Sequence, residues 1–113
     1  MKIEQTQEGD VTVVGIEGVI QLGESARRLS KYLQGLLDGG AEKVILDLSQ
    51  IDYVDSTGLG ELVGYLQRFS EQGRRLVLLN PRTRILNLLK LTRLDEVFPI
   101  FEDRAGAMEA LGG

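Results

Sequence analysis

The regular alternation of short apolar runs with segments of helical periodicity constrains the fold more than any other feature. Two such runs, residues 43–48 and Arg75–Leu79, are rich in Val, Ile and Leu, which is typical of strands buried on both faces of a parallel sheet. Each run is followed by apolar residues spaced three and four apart, as in a helix with one buried face. Strands that alternate with helices favour right-handed crossovers and a mostly parallel sheet. The alternation therefore predicts an α/β domain.

A β-hairpin is predicted before this alternation begins. Residues 11–17 are β-branched and apolar, and the turn signal Glu8-Gly9-Asp10 joins them to a weaker strand at 2–7. Gly18 is predicted to end the second strand. The first helical pattern begins at Ser25.

The C-terminal half continues with a third helix after Pro81, a short strand at 97–101 and a last helix at 104–111. Pro99 places that strand at a sheet edge, because proline cannot donate to a strand ladder. The third helix is apolar on more than one side, and burial between the sheet and the last helix is the leading interpretation, with a protein interface as the alternative. The predicted order is ββαβαβαβα in a single domain over residues 1–113. Its sheet is mixed and mostly parallel, with the N-terminal hairpin as an antiparallel edge and helices packed on it.

Composition narrows the function. The 113 residues contain no histidine and no cysteine, which excludes the usual nucleophile–imidazole pairs and nearly all zinc sites. An excess of 17 acidic over 13 basic residues argues against general electrostatic binding to nucleic acid. No apolar run approaches the roughly 18 residues of a membrane span, and the N-terminus lacks the layout of a signal peptide. We therefore expect a cytoplasmic binding module and not an enzyme. We expect it to need no cofactor or metal, to stay out of the membrane and not to bind nucleic acid directly.

One short segment at the junction of a predicted strand and helix carries the functional argument: Asp55-Ser56-Thr57-Gly58-Leu59-Gly60. Either Asp55 or Ser56 could simply cap the helix, since their oxygens accept hydrogen bonds from free N–H groups of the first turn. Two glycines there cost up to about 1 kcal/mol each relative to alanine, which indicates a close approach to the backbone. A phosphate on Ser56 would be tolerated by the helix N-terminus and repelled by Asp55, so it would change the surface charge with little change in fold.

The residues around this segment resemble a known family. The run Ile45-Leu46-Asp47-Leu48, followed after a short spacer by Tyr53-Val54 and the segment 55–60, is similar to the signature of STAS domains, in particular of bacterial anti-sigma-factor antagonists. The resemblance extends over nearly the whole chain. It implies a protein that binds an anti-sigma factor, often a serine kinase of the histidine-kinase-like ATPase superfamily, and thereby regulates sigma-factor-dependent transcription.

The resemblance also implies roles for individual residues. Ser56 matches the serine that the kinase phosphorylates and a serine phosphatase dephosphorylates, and Thr57 is the second choice. The implied partner-binding residues belong to the segment and to the loop after the second strand: Asp55, Ser56, Thr57, Gly58, Leu59, Gly60 and Gln21. Gln21 stands where an acidic residue is common in the family, and Arg93 stands where glycine is common.

Two alternatives remain open on the sequence, and a third is disfavoured. The chain could be a structural STAS subunit of a stress-signalling assembly or of a lipid-transport ATPase. It could be a small-ligand or nucleotide-binding α/β domain that holds an anion at residues 56–60, although no glycine-rich phosphate loop of known type is present. A magnesium cluster of Asp47, Asp52 and Asp55 is disfavoured, because the paired acids of receiver-like folds are missing at the first strand end.

Overall fold

A computed structural model of the chain describes residues 1–96 and 98–112 and shows a five-stranded sheet with helices on both faces. The strands are β1 (Lys2–Glu8), β2 (Val11–Ile20), β3 (Lys43–Val54), β4 (Arg75–Leu79) and β5 (Ile100–Phe101). The helices are α1 (Glu24–Asp38), α2 (Ser56–Glu71), α3 (Thr83–Leu91) and α4 (Arg104–Ala110), and a 3-10 turn, Leu94–Glu96, follows α3. The predicted order ββαβαβαβα is confirmed.

The strands lie side by side in chain order. β1 is antiparallel to β2, and every later neighbour is parallel, so the α/β class and the mixed sheet with a hairpin edge are confirmed. β5 forms the opposite edge, as its neighbouring proline predicts. The strand predicted at 97–101 is shorter in the structure, because Phe98 and Pro99 precede β5 without joining it, and Val97 lies outside the described residues.

The two faces of the sheet are covered differently. Helices α1, α2 and α3 pack on one face and form the larger core, which includes Ile85 and Leu89 of α3. Helix α4 covers the other face through Ala107 and Leu111. The sheet therefore lies between α3 and α4, and the expected burial of α3 between the sheet and the last helix is wrong. The apolar residue that α3 leaves in solvent is Leu91, 83% exposed at its C-terminal end.

β3 is longer than the apolar run that predicts it, because two irregularities let a polar stretch stay in the sheet. The ladder with β2 shifts register once between the Gly15–Asp47 and Glu17–Gln50 pairs, and again after the Gly18–Ile51 pair. β2 likewise continues through Gly18, which adopts a φ of 104°, so the expectation that Gly18 ends β2 is wrong. As a result β3 carries the chain past the end of β4 and delivers it to Asp55.

Arg93 follows the end of α3 in a left-handed conformation, with a φ of 59°. A side chain with a Cβ is strained there, and glycine is the usual residue at this position of a helix end. Arg93→Gly is therefore expected to raise the free energy of unfolding by about 0.5–1 kcal/mol, the relief of strain exceeding the entropy that glycine adds to the unfolded chain. Urea denaturation measures the difference. Arg84→Gly within the same helix is the control, and it should lower stability by up to about 1 kcal/mol.

Candidate functional site

Asp55 organises the junction between β3 and α2. It is the N-cap of α2, and its Oδ1 accepts a hydrogen bond from the Gly58 N–H at 2.8 Å. Its Oδ2 accepts from the Leu22 N–H at 2.8 Å, and its own N–H donates to the Ile20 carbonyl at 3.1 Å. One carboxylate therefore ties the loop after β2 to the first turn of α2.

These bonds lower the pKa of Asp55. The Gly58 N–H contributes most, followed by the Leu22 N–H, because both stabilise the charged form. A carboxyl group whose pKa falls on folding stabilises the protein above the pKa of the unfolded chain, and this stabilisation is lost as the pH falls through the lowered folded pKa. Asp55→Asn cannot titrate and offers no second oxygen to Leu22. We expect the stability gap between wild type and this variant, measured by urea denaturation at several pH values, to be largest near neutrality and to close on acidification below about pH 4. A gap independent of pH would contradict this role of the carboxylate.

Gly58 and Gly60 occupy very different surroundings. A Cβ on Gly58 would lie 2.7 Å from Ile20 Cγ2 and 2.8 Å from the Ile20 carbonyl oxygen. A Cβ on Gly60 would meet nothing within 4 Å. The close approach expected from the two glycines is therefore real only at Gly58, where it comes from β2 of the same chain.

The two hydroxyl residues of the segment also differ. Ser56 is the first residue of α2 and is exposed, and within the described residues its side chain has no hydrogen-bond partner. Thr57 is half-buried and lines a groove of about 700 Å³ between α1 and α2, together with Tyr65. Because Asp55 is the cap, Ser56 is not needed to hold the helix. The more accessible hydroxyl is the one on Ser56.

The structure brings Gln21 next to the segment, together with two residues, Leu22 and Tyr53, that were not among the predicted partner-binding residues. Gln21 is fixed by Ser25, whose Oγ accepts from its N–H at 2.9 Å and donates to its carbonyl at 3.1 Å. The next residue, Leu22, is 77% exposed although its N–H is bound to Asp55. Tyr53, near the end of β3, is 44% exposed. The sequence signal for Leu22 was an apolar residue in a predicted loop, between Gln21 and Gly23. A single leucine in a loop does not show whether its side chain is buried or exposed.

Three aspartates of β3 and the residue after it each bind a different partner. Asp47 Oδ1 accepts from the Ser49 N–H at 3.0 Å, Asp52 pairs with Arg82, and Asp55 binds the two N–H groups described above. Across residues 1–96 and 98–112, no group of three acidic side chains lies close enough together to hold a metal ion.

Comparison with known protein families identifies the family of the chain. A family model described as "STAS domain" matches residues 2–107. The chain belongs to the STAS domain family. The resemblance of the segment 55–60 and of the runs around it is thereby confirmed for the family.

Several relatives of this STAS domain carry functional names. A Thermotoga maritima protein, provisionally named an anti-sigma factor antagonist, is 32% identical over 87 residues, which cover 76% of this chain and 77% of that protein. The anti-sigma-B factor antagonist of Staphylococcus aureus is 26% identical over 102 residues, which cover 90% of this chain and 94% of that protein.

The anti-sigma factor antagonist SpoIIAA has a similar fold, and its structure is known in two states. The structure of this anti-sigma factor antagonist in its unphosphorylated form matches with a TM-score of 0.74 at 16% identity, covering 99% of both chains. The phosphorylated form of SpoIIAA from Bacillus gives a TM-score of 0.76 at 15% identity, covering 97% of this chain and 99% of that one. At this identity the likeness shows the fold alone.

In the part of this chain that the structure describes, no helix has the length and apolar character needed to cross a bilayer.

Proposed function

We propose that this STAS domain is a cytoplasmic anti-sigma-factor antagonist, a binding switch without catalytic activity. In this proposal the unmodified protein binds an anti-sigma factor that is also a serine kinase, and phosphorylation of Ser56 ends the binding. A serine phosphatase restores the unmodified form. The observation that carries the proposal is an exposed serine hydroxyl at the N-terminus of α2, directly after a fixed aspartate. The names of the relatives support it. SpoIIAA, an anti-sigma factor antagonist of the same fold, is known in a phosphorylated form.

The surface around Ser56 suits a protein partner. Leu22 and Tyr53 expose apolar area on the two segments that the Asp55 carboxylate and backbone hold together. Exposed apolar side chains beside polar ones are typical of protein interfaces. Gln21, Leu22, Tyr53 and the segment 55–60 are therefore the proposed contact surface, with Leu22 as its apolar anchor.

Phosphorylation would act on this surface with little effect on the fold. A phosphate on Ser56 adds about −1.5 to −2 charges. The helix N-terminus favours that charge, while the Asp55 carboxylate, which two backbone N–H groups hold in place, lies on the preceding residue and repels it. A partner packed on the loop would have to desolvate the phosphate. Binding is then lost through charge, without a conformational change.

The proposal is tested by capture of binding proteins from a lysate of the source organism. Immobilised wild-type protein should retain a protein with a histidine-kinase-like ATPase domain, which mass spectrometry identifies, and Ser56→Glu should not. Incubation of the purified pair with ATP and Mg²⁺ should then place phosphate on Ser56. Phosphate found mainly on Thr57 or Ser49, or capture of transporter subunits by both proteins, would contradict the proposal.

Leu22→Ser is expected to weaken binding of the captured anti-sigma factor by about 10-fold or more, because burial of a leucine side chain contributes about 1.5–3 kcal/mol. Its stability should change little, since the side chain is in solvent in the free protein. Leu91→Ser is the matched control, because Leu91, at the C-terminal end of α3, is 83% exposed compared with 77% for Leu22. Calorimetric titration measures both. Equal losses in the two variants would remove Leu22 from the contact surface.

A further inference from the structure

The second half of β3 is held less firmly by the sheet than the first. β4 pairs with β3 only as far as the Asp47–Leu79 pair, so among the described residues the strand beyond Asp47 has β2 as its only neighbour in the sheet. The two register shifts interrupt that remaining ladder. An extra residue in a bulged strand is left unpaired. The stretch that delivers Asp55 and Ser56 to their places therefore needs support from outside the sheet.

Arg82 supplies that support from the N-terminus of α3. Its Nε donates a hydrogen bond to the Ser49 carbonyl at 2.8 Å, and its Nη1 binds the Asp52 carboxylate. Ser49 belongs to the first irregularity of β3, and Asp52 belongs to the second. One planar guanidinium thus spans both bulges, which the flexible ammonium of a lysine would not reproduce.

The solvent exposure of the ion pair between Arg82 and Asp52 limits its contribution to stability. The Arg82 and Asp52 side chains are 48% and 60% exposed, and an ion pair so exposed adds little to global stability. It can still restrain a local opening, because segments of a protein open with free energies far below that of global unfolding.

We propose that Arg82 is a positioning residue: it holds the bulged end of β3, and with it Asp55 and Ser56, in the geometry that the partner binds. The local restraint stands on the contacts of the free protein. Its consequence for binding rests on the proposed function.

Amide hydrogen exchange of the free protein tests the restraint. Arg82→Gln should speed exchange of the amides between Ser49 and Asp55 by about 3- to 10-fold, the size of the effect of a half-exposed ion pair. Amides in the middle of β4 should exchange as in wild type. Arg104→Gln is the matched control, because Arg104 is also 48% exposed and pairs with Glu8, a residue of the distant hairpin. Unchanged exchange in this stretch, or an equal change in the control, would overturn the proposal.

Titration with the captured anti-sigma factor tests the consequence. Arg82→Gln should weaken binding by about 3- to 10-fold, and Asp52→Ala by less, because it leaves the bond from Arg82 to the Ser49 carbonyl in place. The double variant should lose little more than Arg82→Gln alone, since Arg82→Gln already removes the pair with Asp52. Weaker binding by Arg82→Gln without faster exchange between Ser49 and Asp55 would mean that Arg82 touches the partner itself, which would overturn the positioning role. Faster exchange with unchanged affinity would overturn it as well. If no anti-sigma factor binds the wild type, the proposed function fails, and the exchange experiment still decides the restraint.

Discussion

Replacing Gly58 by alanine is expected to lower the free energy of unfolding by about 3 kcal/mol or more, because the new methyl group overlaps atoms of the buried core. The added methyl group would lie 2.8 Å from the Ile20 carbonyl oxygen and 3.1 Å from Val54 Cγ1, in addition to its clash with Ile20 Cγ2. Ile20 is fully buried, and its carbonyl oxygen accepts a hydrogen bond from the Asp55 backbone N–H. Neither the Ile20 side chain nor its carbonyl group can therefore shift without a large cost in free energy. Urea denaturation at neutral pH measures the loss.

Gly60→Ala is the matched control for that experiment, two residues further along α2. Nothing lies within 4 Å of the new methyl group, and alanine favours a helix by up to about 1 kcal/mol over glycine. Stability should therefore rise. If Gly58→Ala proved as stable as Gly60→Ala, the distance between Gly58 of α2 and Ile20 of β2 would have to be larger than the structure shows.

The same pair of glycines shows what the sequence could and could not predict about the site. Two glycines in a first helical turn correctly indicate a close approach, but not which glycine needs it or what approaches. The answer depends on Ile20, 38 positions earlier, which the parallel pairing of β2 and β3 brings under the turn. That pairing continues beyond the apolar run at 43–48 because two extra residues are accommodated in β3, and this breaks the alternation on which strand prediction relies.

Other parts of the fold were predictable because their signals are local. The bounds of β4 coincide with its apolar run. The chemistry of helix starts predicts a cap by Asp55 or Ser56, and the structure shows that Asp55 is the cap. The exposure of Leu22 and of Tyr53 and the reach of Arg82 to Ser49 depend on how the segments after β2, β3 and β4 meet beyond the carboxyl ends of these strands. Contacts between segments that are distant in the sequence leave no local sequence signal. The candidate site is therefore a predictable segment placed in surroundings that only the fold reveals.

Ser56→Glu is expected to weaken binding of the anti-sigma factor by about 5- to 150-fold, the largest expected effect on binding. A carboxylate buried against the partner without a hydrogen-bond partner costs about 1–3 kcal/mol. Glutamate adds one charge where phosphate adds nearly two, so the true phosphoprotein should bind still more weakly. The free energy of unfolding should stay near that of wild type, because Ser56 is exposed and the helix N-terminus favours a negative charge by about 0.3–1 kcal/mol.

Two further variants separate charge from size and from position. Ser56→Gln has the size of glutamate without its charge, and it should retain most of the affinity. Ser70→Glu adds the same charge to an exposed serine near the other end of α2, about 20 Å away, and should bind like wild type. Calorimetric titration of the four proteins against one preparation of the anti-sigma factor gives the comparison. Equal affinities for wild type and Ser56→Glu would mean that the partner does not contact this loop, and a structural role in a larger assembly would then account better for an exposed serine in this place.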